Sequence, residues 1–385
     1  MKHQGKIQDI SLPTRQIGPR RVGEDDVDRR LISLSSRRMV VKRAIIFISL
    51  VIFTLPCYTW AQITGPCVFC HTMHASQSPW PDEWGDKAEL PQPHLIAITG
   101  SDYCKACHTN SSDGNTIKLL GGTIRIPVVY NSSVAPDKPL AGGNFYWMVH
   151  NDDDTLGHNV WDISSPDANL NEAPGIAGIA PGCLVGCHVS LATDPVDSPL
   201  DKNGCQGCHV YPSHHGKNAP YRFLTGHVGP NYYAEGIEDP DWEQNPTQTN
   251  HNWYKGTTER YLTGAGLSNH SVSAFCAGCH GDFHDDMGGE SGSSWLRHPS
   301  DVLLPMDGEY GDYDPITTYS NDAPVAYLDP GSPDRDSAVV MCLSCHRPHG
   351  SPYPDMLRWD YAEQKAGGGG ATGTGCFRCH TQKDD

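Results

Sequence analysis

The chain has 385 residues, of which 37% are hydrophobic, with 15 Cys, 20 His, 40 Gly and 30 Pro and a formal net charge of −17. Gly and Pro make up about 18% of it and the apolar share lies below the usual ~45–50%, which excludes a large core built from side chains alone. The cysteines are too sparse for a small disulfide scaffold, and the acidity argues against nucleic acid or anionic lipid as a partner.

Residues 1–61 read as an address rather than a domain. Lys42 and Arg43 precede an apolar run from Ala44 to Leu55, which ends in Pro56 and then Thr59-Trp60-Ala61, a secretory signal with cleavage after Ala61. The run falls short of the ~20 residues that cross a bilayer, so no permanent membrane anchor is expected. Ser36-Arg37-Arg38 imitates a twin-arginine signal, but that route carries folded proteins, and the cofactor chemistry argued next takes place on an unfolded chain after export. The Sec route is therefore expected. Met39 stands directly before the basic pair and is an alternative start, which would leave residues 1–38 untranslated. Cys57 lies inside the discarded segment. The mature part, residues 62–385, reads as one domain; it carries 17 Lys and Arg against 40 Asp and Glu, a net charge of −23.

Every cysteine after Ala61 belongs to a pair followed at once by His. Cys67-Cys70-His71, Cys104-Cys107-His108, Cys205-Cys208-His209, Cys276-Cys279-His280, Cys342-Cys345-His346 and Cys376-Cys379-His380 are strict C-x-x-C-H, and Cys183-Cys187-His188 has one extra spacer. Chance at this composition gives about 0.03 such motifs. Two thiols one helical turn apart can each add to a vinyl group on one haem edge, and the next residue then places an imidazole beneath the iron. Zinc sites and disulfides also use paired cysteines, but neither requires His directly after the second Cys seven times over. Seven covalent haems c are expected, with the seven histidines as proximal ligands and the porphyrins as the missing core. The fold class that follows is a multihaem cytochrome c: mostly irregular coil with short α-helices and few strands, wrapped around a stacked haem chain. The motifs should sit on short helical turns, with loops over Gly121 to Gly143, Asn231 to Thr249 and Pro305 to Pro333 and a hinge at Gly367 to Gly370. No Gly-rich phosphate loop, Ser-His-Asp set or paired-carboxylate motif stands out.

A second imidazole on the iron closes it for electron transfer, whereas an open position admits substrate. Twelve further histidines follow the signal: His74, His94, His150, His158, His214, His215, His227, His251, His270, His284, His298 and His349. Several trail a motif closely: His74 after His71, His214 and His215 after His209, His284 after His280, His349 after His346. Proximal and distal imidazoles approach from opposite sides of a rigid plane, so a trailing His cannot reach the far face of its own haem. It serves a neighbouring one, and proximity in sequence thus implies proximity of haems.

The ordered set Cys67-Val-Phe-Cys-His-Thr-Met-His74, Gly142-Gly-Asn-Phe-Tyr-Trp147, Gly157-His-Asn-Val160, His215-Gly216, Tyr221-Arg-Phe-Leu224, Cys276-Ala-Gly-Cys-His280 with His284, Leu296-Arg-His-Pro299, Cys342-Leu-Ser-Cys-His-Arg-Pro-His349 and Cys376-Phe-Arg-Cys-His380 resembles the OmcS type of extracellular multihaem cytochrome. These are outer-surface proteins of metal-reducing bacteria that polymerise into conductive filaments. The resemblance implies His74, His158, His215, His284, His298 and His349 as distal ligands, with His74 reaching a haem of the adjacent subunit. A head-to-tail contact of that kind does not close and builds a fibre. The family pattern has six haems, so the Cys183-to-His188 motif is additional; His227 is chosen for it over His150, His94, His251, His270 and His214.

The expectation is a secreted, extracellular or outer-surface electron carrier that copies of itself extend into a filament, passing electrons to metal oxides or other cytochromes. The rivals are a non-polymerising multihaem carrier and a multihaem reductase, the latter needing an open iron, often marked by C-x-x-C-K, which is absent here. Ca²⁺ or Mg²⁺ could bind Asp152-Asp153-Asp154 or Asp312 with Asp314, although such clusters are more often solvated loops.

Overall fold

A computed structural model describes residues 101–170, 191–194, 203–210, 214, 220–225, 232–259, 269–280, 298–367 and 373–383, all within one compact unit, Thr59–Asp385. The signal segment, the motifs at 67–71 and 183–188, and the hinge after Gly367 lie outside the described residues.

Regular elements are short. Among the described residues the helices are α1 (Ser101–His108), α2 (Tyr146–Asn151) and α3 (Val272–Ala277), and 3₁₀ turns span, among others, Gly204–Gly207, Cys342–Ser344 and Gly375–Arg378. Strands of two to four residues are β1 (Thr109–Asn110), β2 (Ile117–Leu120), β3 (Ile124–Pro127), β4 (Tyr130–Asn131), β5 (Gly236–Ile237), β6 (Trp253–Lys255), β7 (Val302–Leu303), β8 (Ala326–Tyr327) and β9 (Ala338–Val340). The chain is therefore mostly coil with short helices and few strands, the architecture expected of a multihaem cytochrome. Three stretches read as loops hold strands after all: β3 and β4 lie between Gly121 and Gly143, β5 between Asn231 and Thr249, and β8 between Pro305 and Pro333. Elements of two to four residues are too brief to show a period in sequence, and it is pairing with a partner strand that makes them strands.

The largest sheet runs in the order β5-β6-β8-β9-β7. β6 pairs parallel with β8 (Tyr254 with Ala326), and the remaining pairs are antiparallel. Its register aligns Tyr254, Ala326 and Val339 on one face, each with no exposed surface, while Tyr327 and Ala338 are buried on the other. Each face packs toward a motif cysteine: the first, with Val272, Met341 and Leu343, against Cys276, and the second, with Leu304, Tyr313 and Val325, against Cys379. Two smaller apolar clusters repeat the arrangement, Phe145, Met148, Leu156 and Val160 beside Cys205, and the β2–β3 hairpin residues Leu120, Ile124 and Ile126 beside Cys107. Among the described residues, four small cores, each bordered by a motif cysteine, take the place of one large one.

Candidate haem sites

All five described C-x-x-C-H motifs begin on a helical turn. In four of them the backbone N–H of the histidine donates to the carbonyl of the first cysteine, at 2.9 Å for His209, His280 and His380 and 3.1 Å for His346. That single α-turn brings both sulfurs and the imidazole to one side of the chain. The ten described cysteines are half-buried, and none is joined in a disulfide. Burial pushes Cys208 up to about 11 and Cys345 and Cys379 up to about 12, an environment that suits a neutral sulfur such as a thioether rather than a thiolate.

The five described motifs follow one another in space in chain order. Cys104 and Cys205 share a hydrogen bond, as do Cys276 and Cys342. Cys208 lies near Cys276, and Cys345 near Cys376 and Cys379. Two of these junctions are also packed backbone: α1 against the Gly204–Gly207 turn, and α3 against the Cys342–Ser344 turn, where Ser273 Oγ accepts from Cys342 N at 3.2 Å.

The histidines carry the clearest signal. Four motif imidazoles each face a second imidazole: His108 with His214 at 6.4 Å between ring centres, His209 with His349 at 6.2 Å, His280 with His158 at 5.9 Å, and His380 with His298 at 6.2 Å. A metal–nitrogen bond of about 2 Å plus roughly 1 Å from nitrogen to ring centre, taken twice, gives about 6 Å across one ion. The spacing therefore fits an iron between two imidazoles, with two thiols one turn back to hold the porphyrin. Among the described residues no imidazole stands opposite His346 in this way.

The protonation of these rings also fits. Nδ1 lies against a backbone carbonyl in His108 (Pro127, 2.7 Å), His158 (Pro348, 2.8 Å), His209 (Arg222, 2.9 Å), His298 (Pro299, 3.0 Å) and His346 (Asp355, 2.7 Å). A carbonyl only accepts, so Nδ1 carries the proton and Nε2 presents a lone pair to the metal. The surrounding protein pushes His108 and His280 down to about 4 and His349 to about 3, mainly by desolvation and then by neighbouring imidazoles. Burial lowers His158, His209, His298 and His346 as well. These rings are neutral near pH 7, the form that ligates.

Other candidates are used differently. His150 stacks on Tyr146, His270 on Tyr233, and His251 between Tyr319 and Trp253. None of them faces a motif imidazole. His214, which the pattern alone does not separate from His215, is the ring opposite His108; its place soon after the next motif in space is the only signal in the sequence that could have singled it out. His71, His74, His94, His188, His215, His227 and His284, with Cys67, Cys70, Cys183 and Cys187, lie outside the described residues. The acidic loops serve as turn caps: Asp153 accepts from the backbone and hydroxyl of Thr155, Asp154 from Asn159, and Asp314 from Ile316 N and Thr317 Oγ1. Among the described residues no group of three His, Cys, Asp or Glu side chains gathers to hold a metal ion, so the Ca²⁺ or Mg²⁺ expectation finds no site there.

The family described as a doubled CXXCH motif matches residues 336–385, which span the last two motifs. The chain is 25% identical over 358 residues to the C-type cytochrome OmcS of Geobacter sulfurreducens, covering 77% of this chain and 79% of that one. Two solved structures are similar. One is the outer membrane cytochrome S filament from that organism, at 19% identity, 77% of this chain, 84% of the other and a TM-score of 0.44. The second, the OmcS nanowires seen by cryo-electron microscopy, gives 18%, 84%, 91% and 0.36.

Proposed function

We propose that this multihaem c-type cytochrome, similar to the OmcS type along most of its length, relays electrons through seven bis-histidine haems and polymerises head to tail outside the cell. The observation that carries the reading is the set of four imidazole pairs, 5.9–6.4 Å apart, strung in order along one chain of motifs. When bound, haem supplies the Fe(III)/Fe(II) couple. The protein supplies two neutral imidazoles per iron, which leave no position for a substrate and favour electron transfer over catalysis at the metal.

The trailing-histidine logic supports the continuity of the relay. His214 follows His209 but faces His108, and His349 follows His346 but faces His209. His214 thereby ties the Cys205 motif to the Cys104 motif, and His349 ties the Cys342 motif to the Cys205 motif. By the same logic His284, four residues after His280, serves His346, whose motif packs against α3. His74 is left to leave the subunit and ligate an iron of the next copy, and His227 to close the additional site at Cys183, Cys187 and His188. Export through the Sec route places the protein where haem is attached and where metal oxides or other cytochromes accept its electrons.

Replacing His74 with Ala tests the polymer. Seven haems should stay attached while filaments in electron micrographs shorten or vanish; normal filaments would refute the inter-subunit role.

A further inference from the structure

The site nearest the C-terminus differs from three other described motif sites in what stands behind its imidazole. His108, His209 and His346 turn Nδ1 to a neutral backbone carbonyl. His380 turns it to a carboxylate: Nδ1 lies 3.4 Å from Glu309 Oε2. Both atoms are buried, and the Tyr310 side chain, whose ring lies 5.1 Å from that of His380, also bonds the Glu309 carboxylate. Glu309 is held in place by main chain, since its carbonyl accepts from Thr381 N at 2.8 Å and from Thr381 Oγ1 at 2.6 Å, directly after the motif. Lys383 Nζ stands 3.4 Å from the same Oε2, with its side chain more than half exposed.

Once Nε2 binds iron, Nδ1 carries the proton, and it then has a carboxylate to donate to. A carboxylate pulls that proton away from the ring and gives the imidazole part of the character of imidazolate, a stronger donor that stabilises ferric over ferrous iron. We propose that Glu309 is a positioning residue that lowers the reduction potential of the iron held by His380 and His298, with Lys383 tempering it. The inference rests on the bis-histidine reading above. It gives the terminal haem a built-in tendency to release its electron, as suits the end of a relay.

Two substitutions at one oxygen test this with opposite signs. In the full-length holoprotein, spectroelectrochemical titration of Glu309→Gln should shift one midpoint upward, and Lys383→Gln should shift the same midpoint downward, leaving the others in place. Arg335 and Arg378, which lie near Cys379, are common to both variants. The haem is assigned by the low-spin EPR signal that His298→Ala removes. No shift in Glu309→Gln, shifts of the same sign in both variants, or loss of that haem from Glu309→Gln would overturn the role. Failure of the underlying reading looks different: a wild-type EPR spectrum that His298→Ala leaves unchanged, which overturns both.

Discussion

His349→Ala removes one imidazole of a pair and nothing else that can bind iron. The ring faces His209 across 6.2 Å, its flank lies 5.0 Å from the ring of Phe145, and its backbone N–H is held by the carbonyl of Gly142 at 2.7 Å. Neither Phe145 nor Gly142 offers a donor to iron, so the vacated position goes to water or stays open. The expected result is an integer: one iron per chain changes from low to high spin, and the rest do not. Loss of the buried ring should also cost about 2–4 kcal/mol, the range for large-to-small changes in packed sites. Low-temperature EPR with spin quantitation reads the first effect and thermal unfolding the second. His349→Met should restore a six-coordinate, low-spin iron with a raised potential, because thioether is the weaker donor. His150→Ala is the control, since His150 only stacks on Tyr146. An unchanged low-spin spectrum in His349→Ala, or conversion of several irons at once, would refute the pairing of His349 with His209.

Gly143→Ala should act on the same site through the backbone. Gly143 has φ +86°, and a Cβ there would sit 2.0 Å from the Gly350 carbonyl oxygen, beside His349; a loss of roughly 3 kcal/mol or more in calorimetry is expected, with high-spin signal at the same iron. Glu243→Ala should destabilise by about 3–5 kcal/mol in denaturant titration. The buried carboxylate accepts from Asn252 N, Tyr254 OH and Tyr319 OH, and its charge faces the buried Arg347. Glu243→Gln keeps the shape and should recover most of that loss.

The attachment chemistry was legible because it is local: a C-x-x-C-H unit is one turn of chain, and its spacing survives any tertiary arrangement. The trailing histidines were legible for the same reason, as His349 and His214 each lie within a few residues of one motif and face the imidazole of another. His158 is different. It meets His280 across more than a hundred residues, no local pattern marks it, and it came into view through a family resemblance alone. Glu309 carried no signal at all, being one acid among 45 until its carboxylate is seen behind His380. The five-stranded sheet was hidden by brevity, since β8 holds only Ala326 and Tyr327 and pairs on one side with β6, far back along the chain, and on the other with the nearby β9. The low apolar content anticipated the outcome in kind: small clusters seated against Cys107, Cys205, Cys276 and Cys379 in place of a single core.

The central claim is that each iron is held between two imidazoles and so can pass electrons but not bind substrate. Low-temperature EPR of the purified, oxidised wild-type protein tests it most directly. The account predicts low-spin ferric signals of bis-imidazole type for every haem, integrating to the full iron content; a high-spin ferric component of one iron or more per chain would contradict it.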